Sequence, residues 1–158
     1  NYVSAILAAQ IEGVSINASI NSLKKFKGVK RRMDFIIESS NICIYDDFAH
    51  HPTAIELSCR AIKNKFPSKK ILGIVELGSN TMSSGYHKEN LINSFELLDD
   101  TLLLDPNKKY KYGNVFDSDK SLIKHLKEII FEYDIILIMT NKDSQKFIKP
   151  IVKHLEKK

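Results

Sequence analysis

The chain has 158 residues, 43% hydrophobic and 27% charged, with a formal net charge of +5. This length and composition describe one globular unit with a hydrophobic core. They exclude a membrane-spanning helix, since no apolar run approaches the roughly 20 residues required, and no signal-peptide pattern is present.

Ala, Ile and Leu recur at helical spacing over residues 1–12 and stop at Gly13, a C-cap residue. A second helix is predicted from about Asn17 to Lys25, with Ile16, Ile20, Leu23 and Phe26 on one face. "FKGVKRR" then reads as a linker around Gly28, and the texture changes to strands and helices in alternation. "MDFIIES" (33–39) and "NICIYDD" (41–47) predict two strands joined by a tight turn at Ser40-Asn41. Pro52 opens a helix, "PTAIELSCRAIKNKF", that stops before Pro67. A strand "KILGIVE" (70–76), a helix "HKENLINSFELL" (87–98) and a strand "TLLLD" (101–105) follow, then an irregular stretch rich in Lys and Tyr. The chain closes with a helix over 119–133, a strand "DIILIM" (134–139) and a helix over 146–158 that Pro150 should kink or delay.

This alternation predicts an α/β fold, a mostly parallel sheet with helices on both faces. Ligands of such sheets bind beyond the carboxyl ends of the strands. Three polar segments, "DDFAHH", "ELGSNTM" and "TNKDSQK", each follow a predicted strand and should share that edge. The first crowds Asp46, Asp47, His50 and His51 into one turn. Asp46 and Asp47 suit a ribose hydroxyl, a metal or an amine, although capping of the next helix accounts for Asp47 equally well. Zinc is disfavoured, because His87, His125 and His154 do not supply further ligands at useful spacing. No nucleophile-elbow serine or glycine-rich phosphate loop is present.

"KKFKGVKRR" (24–32) holds six basic residues in nine. A solvated face is the ordinary reading of such a run. If it binds anything, the presence of Phe26 as the sole interleaved aromatic and the lack of a nucleic-acid motif favour a small phosphate ligand over nucleic acid. Within it, Arg31 and Arg32 stand at a hinge from which a phosphate held by another domain could be reached. Cys43 and Cys59, in a strand-like and a helix-like run, suit reduced, buried thiols of a cytoplasmic protein. The start at Asn1, without methionine, suggests a piece of a longer polypeptide or a processed chain.

"FKGVKRRMD", "YDDFAHHPTAI" and "SNTM…HKENL", in this order and spacing, resemble the C-terminal domain of the Mur ligases, most closely the murein peptide ligase branch. "NYVSAILAAQIEGV" resembles the helix that closes the family's central ATPase domain. The resemblance implies a Rossmann-like domain over residues 28–158, preceded over 1–27 by the end of the central domain and a linker. It also implies ATP-dependent joining of UDP-N-acetylmuramate to the recycled tripeptide L-Ala-γ-D-Glu-meso-diaminopimelate through an acyl phosphate. ATP and Mg²⁺ would be held mainly by the central domain, so the chain alone should be inactive. The alternatives are an L-alanine-adding ligase or a non-catalytic module of the same fold.

Carried over by position, Asn1 lies near adenine, Arg32 touches the ATP phosphates and Asp47 meets the ribose. His50 and His51 line the incoming amine, with His50 also in a catalytic role, and Asn80, Thr81 and His87 face the peptide. Two departures stand out. Where family members commonly read Glu-Pro-Arg-Ser-Asn-Thr-Met, this chain has Gly78 in place of the arginine, and the family's glycine- and phenylalanine-rich loop is here Thr140–Lys146. Lys142 or Lys146 is therefore expected to supply the missing carboxylate contact. The implied setting is the bacterial cytoplasm, with muropeptide substrates and the other domains of the same chain as partners, and no nucleic acid or membrane.

Overall fold

The computed structural model describes residues 2–157, with Lys88 and Glu89 described by backbone alone. Two helices come first, α1 (Tyr2–Ile11) and α2 (Ile16–Leu23). Ser15 caps α2 by accepting a hydrogen bond from the Ala18 amide. The predicted hairpin follows as β1 (Asp34–Ser39) and β2 (Ile42–Asp47). Ser40 and Asn41 both take left-handed backbone angles, φ 52° and 63°, as a two-residue turn between twisted strands requires.

The remaining elements are α3 (Pro52–Lys65), β3 (Ile71–Glu76), α4 (Asn80–Ser83), α5 (Lys88–Asn93), β4 (Asp100–Leu104), β5 (Val115–Phe116), α6 (Asp119–Ile129), β6 (Ile135–Met139) and α7 (Gln145–Leu155). A 3-10 turn over Ile130–Glu132 ends α6 earlier than predicted. The helix expected over 87–98 is also shorter, and the Ser94 hydroxyl donates to the Leu91 carbonyl (2.6 Å) where it ends. Part of the irregular stretch after β4 becomes β5, which pairs only with Leu103 and Leu104. Pro150 lies inside α7, which begins one residue earlier than expected.

The sheet order is β1-β2-β6-β3-β4-β5. Every pairing is parallel except β1 with β2. The central strands β3 and β6 are buried throughout and alternate their side chains between two cores. One core holds Ile55, Cys59 and Ile62 of α3 and Leu91 of α5 against Ile71, Val75 and Leu137. The other holds Leu122 and Leu126 of α6 and Phe147 and Ile151 of α7 against Leu72, Ile74 and Ile136. Helices therefore cover both faces, as the alternation predicted. By contrast α1 buries none of its residues, with Val3 69% and Ile11 84% exposed. Among the described residues no helix is long and apolar enough to cross a membrane.

Two features of this topology build one polar edge. The carboxyl ends of β2, β3 and β6 point the same way because the strands are parallel. The antiparallel β1 then starts where β2 ends, with Asp34 opposite Asp46, so the linker before it reaches that edge too.

Candidate active site

The turn after β2 is organised by its own acids. Asp47 is 3% exposed. Its Oδ1 accepts from the Ala49 amide and its Oδ2 from the Met33 amide, both at 2.7 Å. The carboxylate thus fixes the turn to the linker, and further hydrogen bonding must use what remains of each oxygen. Asp46, also buried, accepts through Oδ2 from Arg31 Nε (3.1 Å) and from the Ser144 hydroxyl (2.7 Å). Its Oδ1 is buried without a hydrogen-bond partner among the described residues.

The arginine pair divides its labour. Arg31 takes a left-handed φ of 56°, as Met33 does at 50°. Its guanidinium turns inward to Asp46, donates to the Thr140 carbonyl (2.5 Å) and lies 5.1 Å from the Phe48 ring centroid. Arg32 is exposed at the same edge and has no hydrogen bond or ion pair among the described residues.

His50 Nδ1 lies 2.8 Å from the Phe48 carbonyl. A carbonyl oxygen only accepts, so Nδ1 carries the proton and a neutral ring keeps a lone pair on Nε2. Phe48 meets the His50 ring edge-on at 5.2 Å. His51 ends the turn at the N-cap of α3. Its ring meets that of His87, the N-cap of α5, at 4.7 Å, and His87 in turn meets the 82% exposed Tyr86 at 4.9 Å. His51, Thr53, Glu56, His87, Asn90 and Asn93 line a cleft of about 460 Å³. Asn80 and Thr81 open α4 nearby in sequence; both are exposed, and Thr81 Oγ1 lies 3.3 Å from the α4 cap Ser79.

At the end of β3, Glu76 is 4% exposed and receives the Thr140 hydroxyl on Oε2 (2.6 Å) and Lys146 Nζ on Oε1 (2.6 Å). Lys142 Nζ lies farther, at 3.8 Å, on a side chain 53% exposed. Two ammonium groups face one carboxylate, and Lys142 carries the surplus charge. Gly78 is needed for space: a Cβ there would overlap Asn141 Oδ1 and come within 3.1 Å of Asn141 Cγ and 3.2 Å of Lys142 Cγ. The loop after β6 thus occupies the volume into which a larger residue at 78 would grow.

The structure brings Arg32, Asp47, His50, Lys142 and Lys146 to the carboxyl edge, and His51 and His87 into contact; Asn1 lies outside the described residues. Sequence reasoning missed the inward Arg31, the buried Glu76 and the contact of Asn141 with Gly78. Only the glycine itself, standing where an arginine is common, hinted at the last. Beneath the site, burial and then the Asp47 carboxylate push the Cys59 thiol up to about 12. Among the described residues no three His, Cys, Asp or Glu converge on a metal-sized site.

Residues 31–141 match the family model described as "Mur ligase, glutamate ligase domain". A UDP-N-acetylmuramate–L-alanine ligase of Cytophaga hutchinsonii is 29% identical over 168 residues, covering 96% of this chain and 35% of that protein. The UDP-N-acetylmuramate–L-alanyl-gamma-D-glutamyl-meso-2,6-diaminoheptandioate ligase of Escherichia coli is 37% identical over 107 residues, covering 67% of this chain and 23% of that protein. Among solved structures, a murein peptide ligase from Psychrobacter arcticus superposes with a TM-score of 0.76 at 31% identity, covering 98% of this chain and 36% of that one. The chain therefore spans 23% to 36% of the length of these relatives.

Proposed function

The chain belongs to the Mur ligase family, and from that premise we propose that it is the acceptor-side, C-terminal domain of an ATP-dependent ligase. The full protein joins UDP-N-acetylmuramate to the free amine of L-Ala-γ-D-Glu-meso-diaminopimelate. ATP and Mg²⁺, bound mainly by a preceding domain, supply activation of the lactyl carboxylate as an acyl phosphate. Residues 1–27 belong to that preceding domain and its linker. The exposed apolar surface of α1, with the groove lined by Ala5, Ile6, Ala9, Leu23 and Phe26, supports this division.

The observation that carries the proposal is the exposed guanidinium of Arg32, without a hydrogen bond or ion pair among the described residues and set on the same edge as His50 and the loop ending at Lys146. Arg32 meets the nucleotide phosphates as the domains close, adding positive charge where negative charge shifts during transfer. Asp47 faces the ribose side of the turn, with most of its carboxylate committed to holding that turn. His50 Nε2 receives a proton from the incoming amine as it attacks the acyl carbonyl, and the C–O bond to phosphate breaks to leave the amide and inorganic phosphate. His51 and His87 wall the cleft that receives the peptide, Asn80 and Thr81 offer it hydrogen bonds, and of the two lysines it is Lys142, not the Glu76-bound Lys146, that answers its carboxylates.

A second reading, L-alanine addition, is favoured by the 96% coverage of this chain in the Cytophaga hutchinsonii match and by the lack of a guanidinium at Gly78. The deciding experiment incubates the full-length protein with ATP, UDP-N-acetylmuramate and either tripeptide or L-alanine, and weighs the product by mass spectrometry. A tripeptide adduct with release of ADP is expected. An L-alanine adduct alone would establish the second reading, and no adduct with either amine would refute both.

A further inference from the structure

Arg31 lies where four segments of the chain meet. Its carbonyl accepts from the Phe48 amide (2.8 Å), which holds the linker against the turn after β2. Its guanidinium reaches Asp46 through Nε (3.1 Å) and the Thr140 carbonyl through a terminal nitrogen (2.5 Å). Asp46 passes the contact on to Ser144, beside the start of α7 (2.7 Å). The left-handed angles at Arg31 and Met33 let adjacent side chains diverge, so Arg31 points in while Arg32 stays exposed.

Two exposed cations flank this junction. On one side is Arg32, the next residue. On the other is the loop from Thr140 to Lys146, which carries Asn141 and the half-exposed Lys142. A guanidinium presents several donors in a rigid plane and can bind a carboxylate and a carbonyl at fixed mutual geometry, which an ammonium cannot reproduce.

We infer that Arg31 is a positioning residue that couples the linker to the loop after β6, so that the setting of Arg32 toward the nucleotide and the setting of Lys142 toward the acceptor are adjusted together. This rests on the proposed ligase reading for the two ends it connects, while the junction itself is read from the contacts. Loss of the link leaves both side chains in place chemically and loosens both in position, and small misplacements of this kind are costly to a reaction that depends on alignment.

The test uses the full-length protein with Arg31→Lys, which keeps the charge beside Asp46 and gives up the second, fixed donor to Thr140. With ATP, UDP-N-acetylmuramate and the amine the protein accepts, KM for the amine should rise roughly tenfold and kcat fall roughly tenfold, with KM for ATP little changed. Amide hydrogen exchange should accelerate at residues 30–33 and 140–146 together. A purely structural Arg31 would lower the melting temperature without moving the amine KM or the loop exchange, and that result overturns the inference. If Arg31→Lys does not fold, Ser144→Ala removes a single bond to Asp46 and should shift the same quantities less; unchanged loop exchange there is equally fatal. Should the unsubstituted protein form no amide at all, the ligase reading fails, while the exchange measurement still decides whether Arg31 couples the two segments.

Discussion

Gly78→Ala is a small change with a large expected effect. Replacing a loop glycine by alanine ordinarily stabilises a protein by about 0.4–1 kcal/mol, by narrowing the unfolded ensemble. Here the added methyl group would overlap Asn141 Oδ1 and crowd Asn141 Cγ at 3.1 Å and Lys142 Cγ at 3.2 Å. The backbone that carries these side chains is pinned where Lys142 donates its amide to Thr140 Oγ1 (3.0 Å) and Thr140 meets the buried Glu76 (2.6 Å). Asn141 Oδ1 is itself buried, so any retreat must come from side-chain rotation within a packed site. Overpacking of this kind costs about 1–3 kcal/mol, so the steric penalty outweighs the entropic gain. A melting temperature lower by roughly 2–10 °C follows for a chain of this size. Asn141→Gly in the same protein should remove the clash and recover most of the loss, giving a coupling of about 1–2 kcal/mol in a double-mutant cycle. Thermal unfolding followed by circular dichroism measures all four proteins. A neutral Gly78→Ala, or a double mutant that loses stability additively, would refute the contact between these two loops.

The two lysines should separate: Lys142→Ala should raise KM for the tripeptide with little loss of stability, whereas Lys146→Ala should cost roughly 1–3 kcal/mol by leaving the buried Glu76 with only the Thr140 hydroxyl and the more distant Lys142, as denaturant titration will show. Cys59, its thiol held near 12 by burial, should resist alkylation at pH 8 in the folded protein and react only in denaturant; native labelling at the rate of a free thiol would contradict its burial. Lys69 beside Asp134 holds that carboxyl below its usual range, so its contribution is complete above the unfolded pKa of about 3.9 and disappears as pH falls through the folded value. Asp134→Asn should therefore lessen the loss of stability between pH 5 and pH 3, measured by urea unfolding.

The α/β class and the shared edge were legible because strand and helix periodicities alternate from Asp34 onward and parallel strands put the loops after β2, β3 and β6 together; the strand order, with β6 between β2 and β3, was not. The hairpin was legible in Ser40-Asn41, which the structure gives left-handed angles. β5 was not, because two residues paired only to the end of β4 leave no periodic signal. The roles within the edge were harder still. Arg31 and Arg32 are equivalent as letters, and only the backbone angles at Arg31 and Met33 send one inward and leave the other outside. Lys146 reads as a free surface cation until a glutamate seventy residues earlier in the chain meets it at 2.6 Å. Asp47 reads equally as a ligand-facing acid or a cap of the next helix, yet His51 stands at that N-cap and the amides of Met33 and Ala49 absorb most of the Asp47 carboxylate. Arg31 and Lys146 find their deciding acids on strands elsewhere in the chain, and Asp47 finds one of its two amides in the linker, each beyond a local pattern.

The central claim is that this edge faces an ATP-activated substrate through Arg32. Its most direct test is Arg32→Ala in the full-length protein, with ADP release and amide formation followed under saturating ATP. Arg32 is exposed and has no hydrogen bond or ion pair to lose among the described residues, so the melting temperature should hold. A contact made mainly in the transition state predicts a fall in kcat of roughly 10²-fold or more. Unchanged turnover in a folded Arg32→Ala protein would contradict the account.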